Sequence, residues 1–288
     1  MNETAPVVLS PVLEKLRCLT CNATGLSAKP DGSSVYCQTC AVESPVRQGR
    51  FPDFLSSQER AALAREILFW NTHFGDTTYA DESEASYRHW ALMMDTKPTD
   101  EVIELGCGSG ALLNHLPAKL KVGLEPAESL LTATKGFVGV IGTAARMPFA
   151  SKSFDLVFFK HSLHHVEDKT AAMIEAARIT KSGGRLIVME PNALHPQRRL
   201  ISSPKSVFRK LKLFTRLIGP VETFQAAAEL IAQANAMGLT LENLTYTQSA
   251  YEKLSYRQFL QKVYARVLKP FVPQKYLMPN YFLAFRKR

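Results

Sequence analysis

The chain has 288 residues and a formal net charge of +9, with 46% hydrophobic and 21% charged residues. That length and balance suit a globular chain with one sizeable core and a small extra module. No apolar run reaches about 18 residues, which excludes a transmembrane helix, and the opening MNETAPVVLSPVLEK lacks the basic flank and long apolar core of a secretory signal, so a cytoplasmic location is expected.

Residues 1–17 read as a frayed lead-in. Cys18 and Cys21 then form one C-x2-C pair and Cys37 and Cys40 another, with fifteen residues between the pairs. This spacing is that of a zinc site in which two knuckle turns aim four thiolates at one ion. With all four positions filled by protein sulfur, no coordination site is left for water, so the zinc is expected to be structural. A redox dithiol pair is the alternative. Pro30, Asp31, Gly32, Ser33 and Ser34 read as a turn joining two short strands. The segment to Leu55 reads as a closing strand and tether, so a zinc-ribbon module is expected over 1–55. Ser56 with Glu59 has the form of a capping box. It opens a predicted helix Gln58–Thr72, with Ala61, Leu63, Ala64, Ile67 and Leu68 on or near one face.

The stretch Val102–Gly110, VIELGCGSG, organises the rest. Val102, Ile103 and Leu105 form a short apolar strand. Gly106, Gly108 and Gly110 allow a sharp turn and close approach of a ligand, and a helical pattern starts at Ala111. Glu104 lies inside the strand, where it can meet an ammonium group but would repel a pyrophosphate. Glu125 ends the next strand, where a carboxylate can accept the hydroxyls of a ribose. E-L-G-C-G-S-G followed by L-E-P resembles the glycine motif and the acid after the second strand of class I S-adenosylmethionine (SAM) methyltransferases. Gly106, Gly108 and Ala111 also satisfy a relaxed dinucleotide pattern, which makes the downstream residues decisive.

Those residues extend the resemblance. Strands are predicted at Val102–Leu105, Lys121–Leu124, Phe137–Ile141, Leu156–Phe159 and Arg185–Met189, with helices between them. Leu239–Gln248 and Asn280–Arg286 would be the closing antiparallel strands. The expected fold is α/β: a doubly wound, Rossmann-like sheet of seven strands over 56–288, with the small N-terminal four-cysteine zinc ribbon and helical cap insertions near 195–222 and 250–278. Gln225–Met237 is predicted as an amphipathic helix closed by Gly238. Lys181–Gly184 is predicted as a reverse turn.

After the fourth strand comes Lys160-His161-Ser162-Leu163-His164-His165-Val166. It resembles the LHH segment of the small-molecule branch of the family. The branch's segment holds the sulfonium end of SAM through its backbone, which implies Lys160 and His161. Imidazoles also take a proton near neutral pH, which makes His161 and His164 the first candidates for a general base and His165 a third. The resemblance further places Thr143 where an acid often bonds the adenine, beside the Ala144 N–H. It makes 73–96 a wall of the acceptor pocket, with Tyr79, Tyr87, His89 and Trp90 as candidates. Cys107 is read as packing.

From His195 to Gly219 there are seven basic residues and no acid, and residues 251–288 hold nine Lys or Arg against one Glu. Arg198 and Arg199 thus become candidates for binding an anionic acceptor. The resemblance implies methyl transfer to a small organic acceptor through an O-, N- or C-nucleophile. An RNA-base methyltransferase gripping nucleic acid with its ribbon and basic surface is a second reading. A non-catalytic SAM-binding or partner-docking protein is a third. Peripheral membrane contact remains open, and the oligomeric state is not indicated.

Overall fold

Two-residue alternation along the central strands decides the architecture. The computed structural model describes residues 9–73, 84–132, 136–196, 198, 199, 223–247, 263, 266–268 and 270–288. In the main sheet the strands are β5 (Glu101–Leu105), β6 (Leu120–Glu125), β7 (Val138–Ile141), β8 (Phe154–Lys160), β9 (Thr180–Pro191), β10 (Leu239–Thr247) and β11 (Asn280–Lys287). Their order is β10-β11-β9-β8-β5-β6-β7, with β5 to β9 parallel and β10 and β11 antiparallel. The seven-stranded, doubly wound expectation therefore holds. Successive side chains of a strand point to opposite faces, and both faces here are covered. Val102, Leu156, Phe158, Ile187, Met189 and Phe282 enter one apolar layer. Ile103, Leu105, Val157, Phe159, Leu186 and Val188 enter the other.

The first layer is covered by α3 (Glu84–Met94) and α4 (Ala111–Asn114). The second is covered by α6 (Lys169–Ile179), α7 (Ala227–Ala236) and the N-terminal module. Three short helices, α1 (Ser10–Leu13), α5 (Glu128–Leu131) and α8 (Gln274–Leu277), are also present. Gly238 follows α7 at φ +78°, as the closing glycine requires. Lys181–Gly184 does not form the expected free turn. It opens β9, whose pairing with β8 shifts register between Phe154 and Leu156. Gly184 is needed there, because a Cβ would meet the carbonyl oxygens of Lys181 at 2.9 Å and Asp155 at 3.0 Å.

The ribbon is a four-stranded antiparallel sheet: β1 (Ser27–Ala28), β2 (Ser34–Tyr36), β3 (Glu43–Arg47) and β4 (Phe51–Pro52). It is not an independent bead. Val35, Cys18 and Cys37 belong to the same apolar layer as Ile103 and Leu105. Leu16 bridges to Phe149, Asp53 bridges to Ile141, and the Phe54 N–H donates to the Ile141 carbonyl at 2.9 Å. Phe51 packs on β7 so closely that a Cβ at Gly139 would lie 2.9 Å from its ring.

Ser56 and Glu59 form the predicted capping box, with Ser56 N–H to Glu59 Oε2 at 2.9 Å and Glu59 N–H to Ser56 Oγ at 3.2 Å. They start α2 (Ser57–His73). The face of α2 differs from expectation. Ala61, Ala64 and Leu68 point outward, with Leu68 66% exposed. Glu59, Ala62, Leu63, Glu66, Ile67 and Trp70 point inward, because the helix crosses a cavity instead of lying on the sheet. Tyr79 and most of both expected caps lie outside the described residues. Among the described residues no helix is long and apolar enough to cross a membrane.

Candidate active site

In an open α/β sheet the ligand crevice lies beyond the carboxyl ends of the strands, where neighbouring connections diverge. Here β5 sits between β6 and β8, and the turns after these three strands enclose a cavity of about 370 Å³ beneath α2. Gly106 and Gly108 line it, with φ of +70° and +52°. A Cβ at Gly106 would lie 2.6 Å from Ser162 Cβ, so glycine lets the β8 turn close in. A Cβ at Gly108 would meet nothing within 4 Å, which leaves room for a ligand against its backbone. Gly110 does neither. It begins α4 at φ +69°, and a Cβ there would lie 2.1 Å from the Phe137 ring. The third glycine of the motif thus serves packing, and it is absent from the cavity wall.

Glu125 ends β6 inside the cavity. Its two oxygens accept from the Gly108 and Ala127 N–H groups, both at 3.0 Å. Burial pushes its carboxyl up to about 7, against the pull of those N–H groups. Thr143 and Ala144 also line the cavity. Glu104 is buried on the α3 face of β5 and reaches a smaller adjoining cavity of about 170 Å³, shared with Gly106, Ser109, Tyr87 and Lys160. The Lys160 ammonium lies 5.3 Å from the centre of the Tyr87 ring.

The three histidines have separate fates. His161 lines the cavity at φ +51°, its N–H bonded to the Met189 carbonyl at 2.8 Å. Burial, helped by the neighbouring Lys160 charge, lowers its imidazole to about 3, so it is neutral and a poor base near pH 7. His164 is turned away from the cavity: its Nδ1 lies 2.7 Å from Glu190 Oε2, and both side chains are buried. Glu190 also accepts from the Ser162, Leu163 and His164 N–H groups, satisfying the start of a single 3-10 turn. Burial alone would raise the Glu190 pKa, but His164 and these donors hold it below the ordinary carboxylate value. His164 is thus part of a pinned turn, which corrects its expected place at the reaction. His165 does line the cavity, with its Nδ1 2.9 Å from Glu66 Oε1 on α2.

Three residues expected at the acceptor also lie elsewhere. Trp90 is 1% exposed and stacks on Phe282 in the core, 6.4 Å between centroids. Its aromatic bulk is used to seat α3 on the sheet. Arg198 lies 4.8 Å from the centre of the Phe224 ring, which in turn packs on His164. Arg199 is exposed, and neither arginine is among the cavity-lining residues. Tyr87 remains at the smaller cavity.

Sequence reasoning missed the contribution of α2. Glu59 makes a two-point pair with Arg146, at 2.6 and 2.8 Å, tying the helix to the loop after β7. Asn71 bonds Ser129 at the other end. Glu66 is a buried acid directly ahead of the apolar run Ile67–Trp70 and one helical turn before Trp70, which is the signal that was available.

The four cysteines converge as their spacing required. Cys18 and Cys40 sulfurs are 3.5 Å apart, as are those of Cys21 and Cys37, and all four lie within 4.8 Å of one another. Tetrahedral zinc with bonds of about 2.3 Å sets sulfurs roughly 3.8 Å apart, so the donor set fits the ion. Backbone N–H groups of Cys40 and Thr39 lower the Cys37 thiol, while the neighbouring cysteine sulfurs raise that of Cys40.

A family model described as "Methyltransferase domain" matches residues 103–188. Demethylmenaquinone methyltransferase of Corynebacterium glutamicum is 27% identical over 171 residues, 53% of this chain and 74% of that protein. Demethylmenaquinone methyltransferase of Mycobacterium sp. (strain JLS) is 36% identical over 97 residues, 32% of this chain and 42% of that protein. This chain therefore spans less than half the length of the second relative. Among solved structures, a possible histamine N-methyltransferase from Thermotoga maritima superposes with a TM-score of 0.51 at 19% identity, covering 80% of this chain and 98% of that one. At that identity the likeness is one of fold.

Proposed function

We propose that this chain, which carries a SAM-dependent methyltransferase domain, moves a methyl group onto a small, largely apolar organic acceptor. An acceptor of the demethylmenaquinone class that its relatives' names give is the first choice. The observation that supports this most is the cavity beneath α2, where Glu125 sits beside a glycine backbone with room for a ligand. When bound, SAM supplies an electrophilic methyl for in-line displacement. The work left to the protein is placement and exclusion of water. Glu125, fixed by two backbone N–H groups, is oriented to receive ribose hydroxyls. The Gly106–Gly108 turn admits the cofactor's backbone-facing edge, and Thr143 and Ala144 close the adenine end. Glu104 is placed to meet an ammonium group at the smaller cavity. Leu63, Ile67, Leu105, Leu124 and Phe159 give the remaining wall an apolar lining suited to an uncharged organic acceptor. The four cysteines would hold one structural zinc that braces the ribbon against β7.

The test is transfer of label from methyl-tritiated SAM. Reduced demethylmenaquinone-type naphthoquinols and total RNA are offered to the zinc-loaded protein in parallel. Label in the quinol fraction alone supports the reading. Label in RNA alone replaces it with base methylation, and SAM binding without transfer to either favours a non-catalytic role.

A further inference from the structure

The lid helix brings one more polar constellation to the cavity. Glu66, on the inner face of α2, is 5% exposed. Its Oε1 accepts from Trp70 Nε1 at 2.9 Å and lies 2.9 Å from His165 Nδ1. The Trp70 ring packs edge-on against His165, 5.2 Å between centroids. Glu66 Oε2 and His165 Nδ1 are both buried, and neither makes an aligned hydrogen bond. The imidazole is thus held at ion-pair distance without the alignment of a finished hydrogen bond.

The other ring nitrogen differs. His165 keeps 14% of its side chain exposed, lines the cavity, and has Nδ1 buried. Nε2 is therefore the polar atom offered to a ligand. With a carboxylate at Nδ1, the neutral ring carries its proton on Nδ1, and Nε2 is an acceptor. An acceptor in this place fits a hydroxyl donor. Glu125, the ribose-facing acid, lines the same cavity as His165 and Glu66. The neighbours of His165 along the wall, Val166 to Asp168, face the same cavity as Gly142 to Ala145. These residues surround the nucleoside part of the site rather than the smaller cavity at Glu104.

We propose that Glu66 and His165 form the lid half of the nucleoside site, His165 Nε2 accepting a hydrogen bond from a ribose hydroxyl opposite Glu125. Glu66 is a positioning residue: it fixes the tautomer and tilt of His165, while Trp70 fixes Glu66. The pair would thereby read an intact ribose from the α2 side of the cavity. This inference rests on the reading of the cavity as a SAM site.

Calorimetry with S-adenosylhomocysteine and its 2′-deoxy and 3′-deoxy forms tests it, without need of a methyl acceptor. Wild type, His165→Ala, His165→Gln and Glu66→Gln are compared at matched zinc loading, with thermal unfolding as the check on folding. His165→Ala and Glu66→Gln should weaken S-adenosylhomocysteine by roughly five- to tenfold, the scale of one neutral hydrogen bond. His165→Gln, which restores an acceptor, should recover part of the loss. With one of the two deoxy forms the penalty should vanish, since the partner hydroxyl is gone. Folded variants that bind within twofold of wild type overturn the inference, as does a penalty that persists with both deoxy forms. A wild-type protein that does not bind S-adenosylhomocysteine overturns the SAM-site reading itself.

Discussion

Gly108 and Gly110 stand two residues apart in one motif, yet the structure assigns them opposite sensitivities. At Gly108 an added side chain projects into the cavity, with nothing within 4 Å of the Cβ. Gly108→Leu should therefore cost the fold little beyond the strain of a non-glycine residue at φ +52°, about 1–2 kcal/mol. The same side chain would fill the proposed cofactor space. Overpacking a filled site costs roughly 1–3 kcal/mol, which is about 5- to 150-fold in affinity. The Gly108 N–H also holds Glu125, so a shifted backbone would add to the loss. Gly110→Ala places a methyl 2.1 Å from the Phe137 ring at φ +69°. Strain and overpacking together give about 2–5 kcal/mol of lost stability, or a fall in Tm of order ten degrees. Calorimetry with SAM and thermal unfolding separate the two effects. The reasoning fails if Gly108→Leu binds SAM as wild type does, or if Gly110→Ala melts with wild type.

The purified chain should contain about one zinc, and Cys37→Ser should lose it and melt earlier, because the ribbon shares the core of the main sheet; metal analysis with unfolding curves checks this. Two groups of the cavity wall give opposed pH dependences without ligand. Glu125, raised to about 7, binds its proton more tightly when folded, so it withdraws stability as pH rises from about 4.5 to 7. His161, lowered to about 3, resists protonation when folded, so its contribution falls away as pH drops from about 6.5 to 3. Across the overlap they largely cancel. Denaturant titrations should then show Glu125→Gln less stable toward acid than toward neutrality and His161→Asn less stable toward neutrality. Equal slopes in both variants would count against the burial of both groups. Arg198→Ala with Arg199→Ala should leave SAM affinity and the apparent KM for an uncharged acceptor near wild type at low and high salt, because neither arginine lines the cavity; steady-state kinetics at two ionic strengths decide it.

What the sequence determined by itself was whatever depends on near neighbours. A glycine turn between an apolar strand and a helix, an acid at the end of the next strand, and two C-x2-C pairs are short-range patterns. Their geometry follows from allowed backbone angles and ligand bond lengths, and so β5, β6, Glu125 and the four cysteines stood where expected. The capping box at Ser56 and Glu59 was legible for the same reason. The tertiary structure decided which side of each element lines the cavity. The helical period on α2 was readable, but its apolar residues Ala61, Ala64 and Leu68 face outward, because the helix bridges a cavity that only the assembled sheet creates. The order of three histidines in one turn did not reveal that Glu190, from a neighbouring strand, would take His164 out of the site. Nor did it reveal that Glu66, about a hundred residues earlier, would seat His165 within it. Those outcomes depend on pairings between distant segments, where a partner's position, not a residue's own chemistry, fixes what its side chain can do.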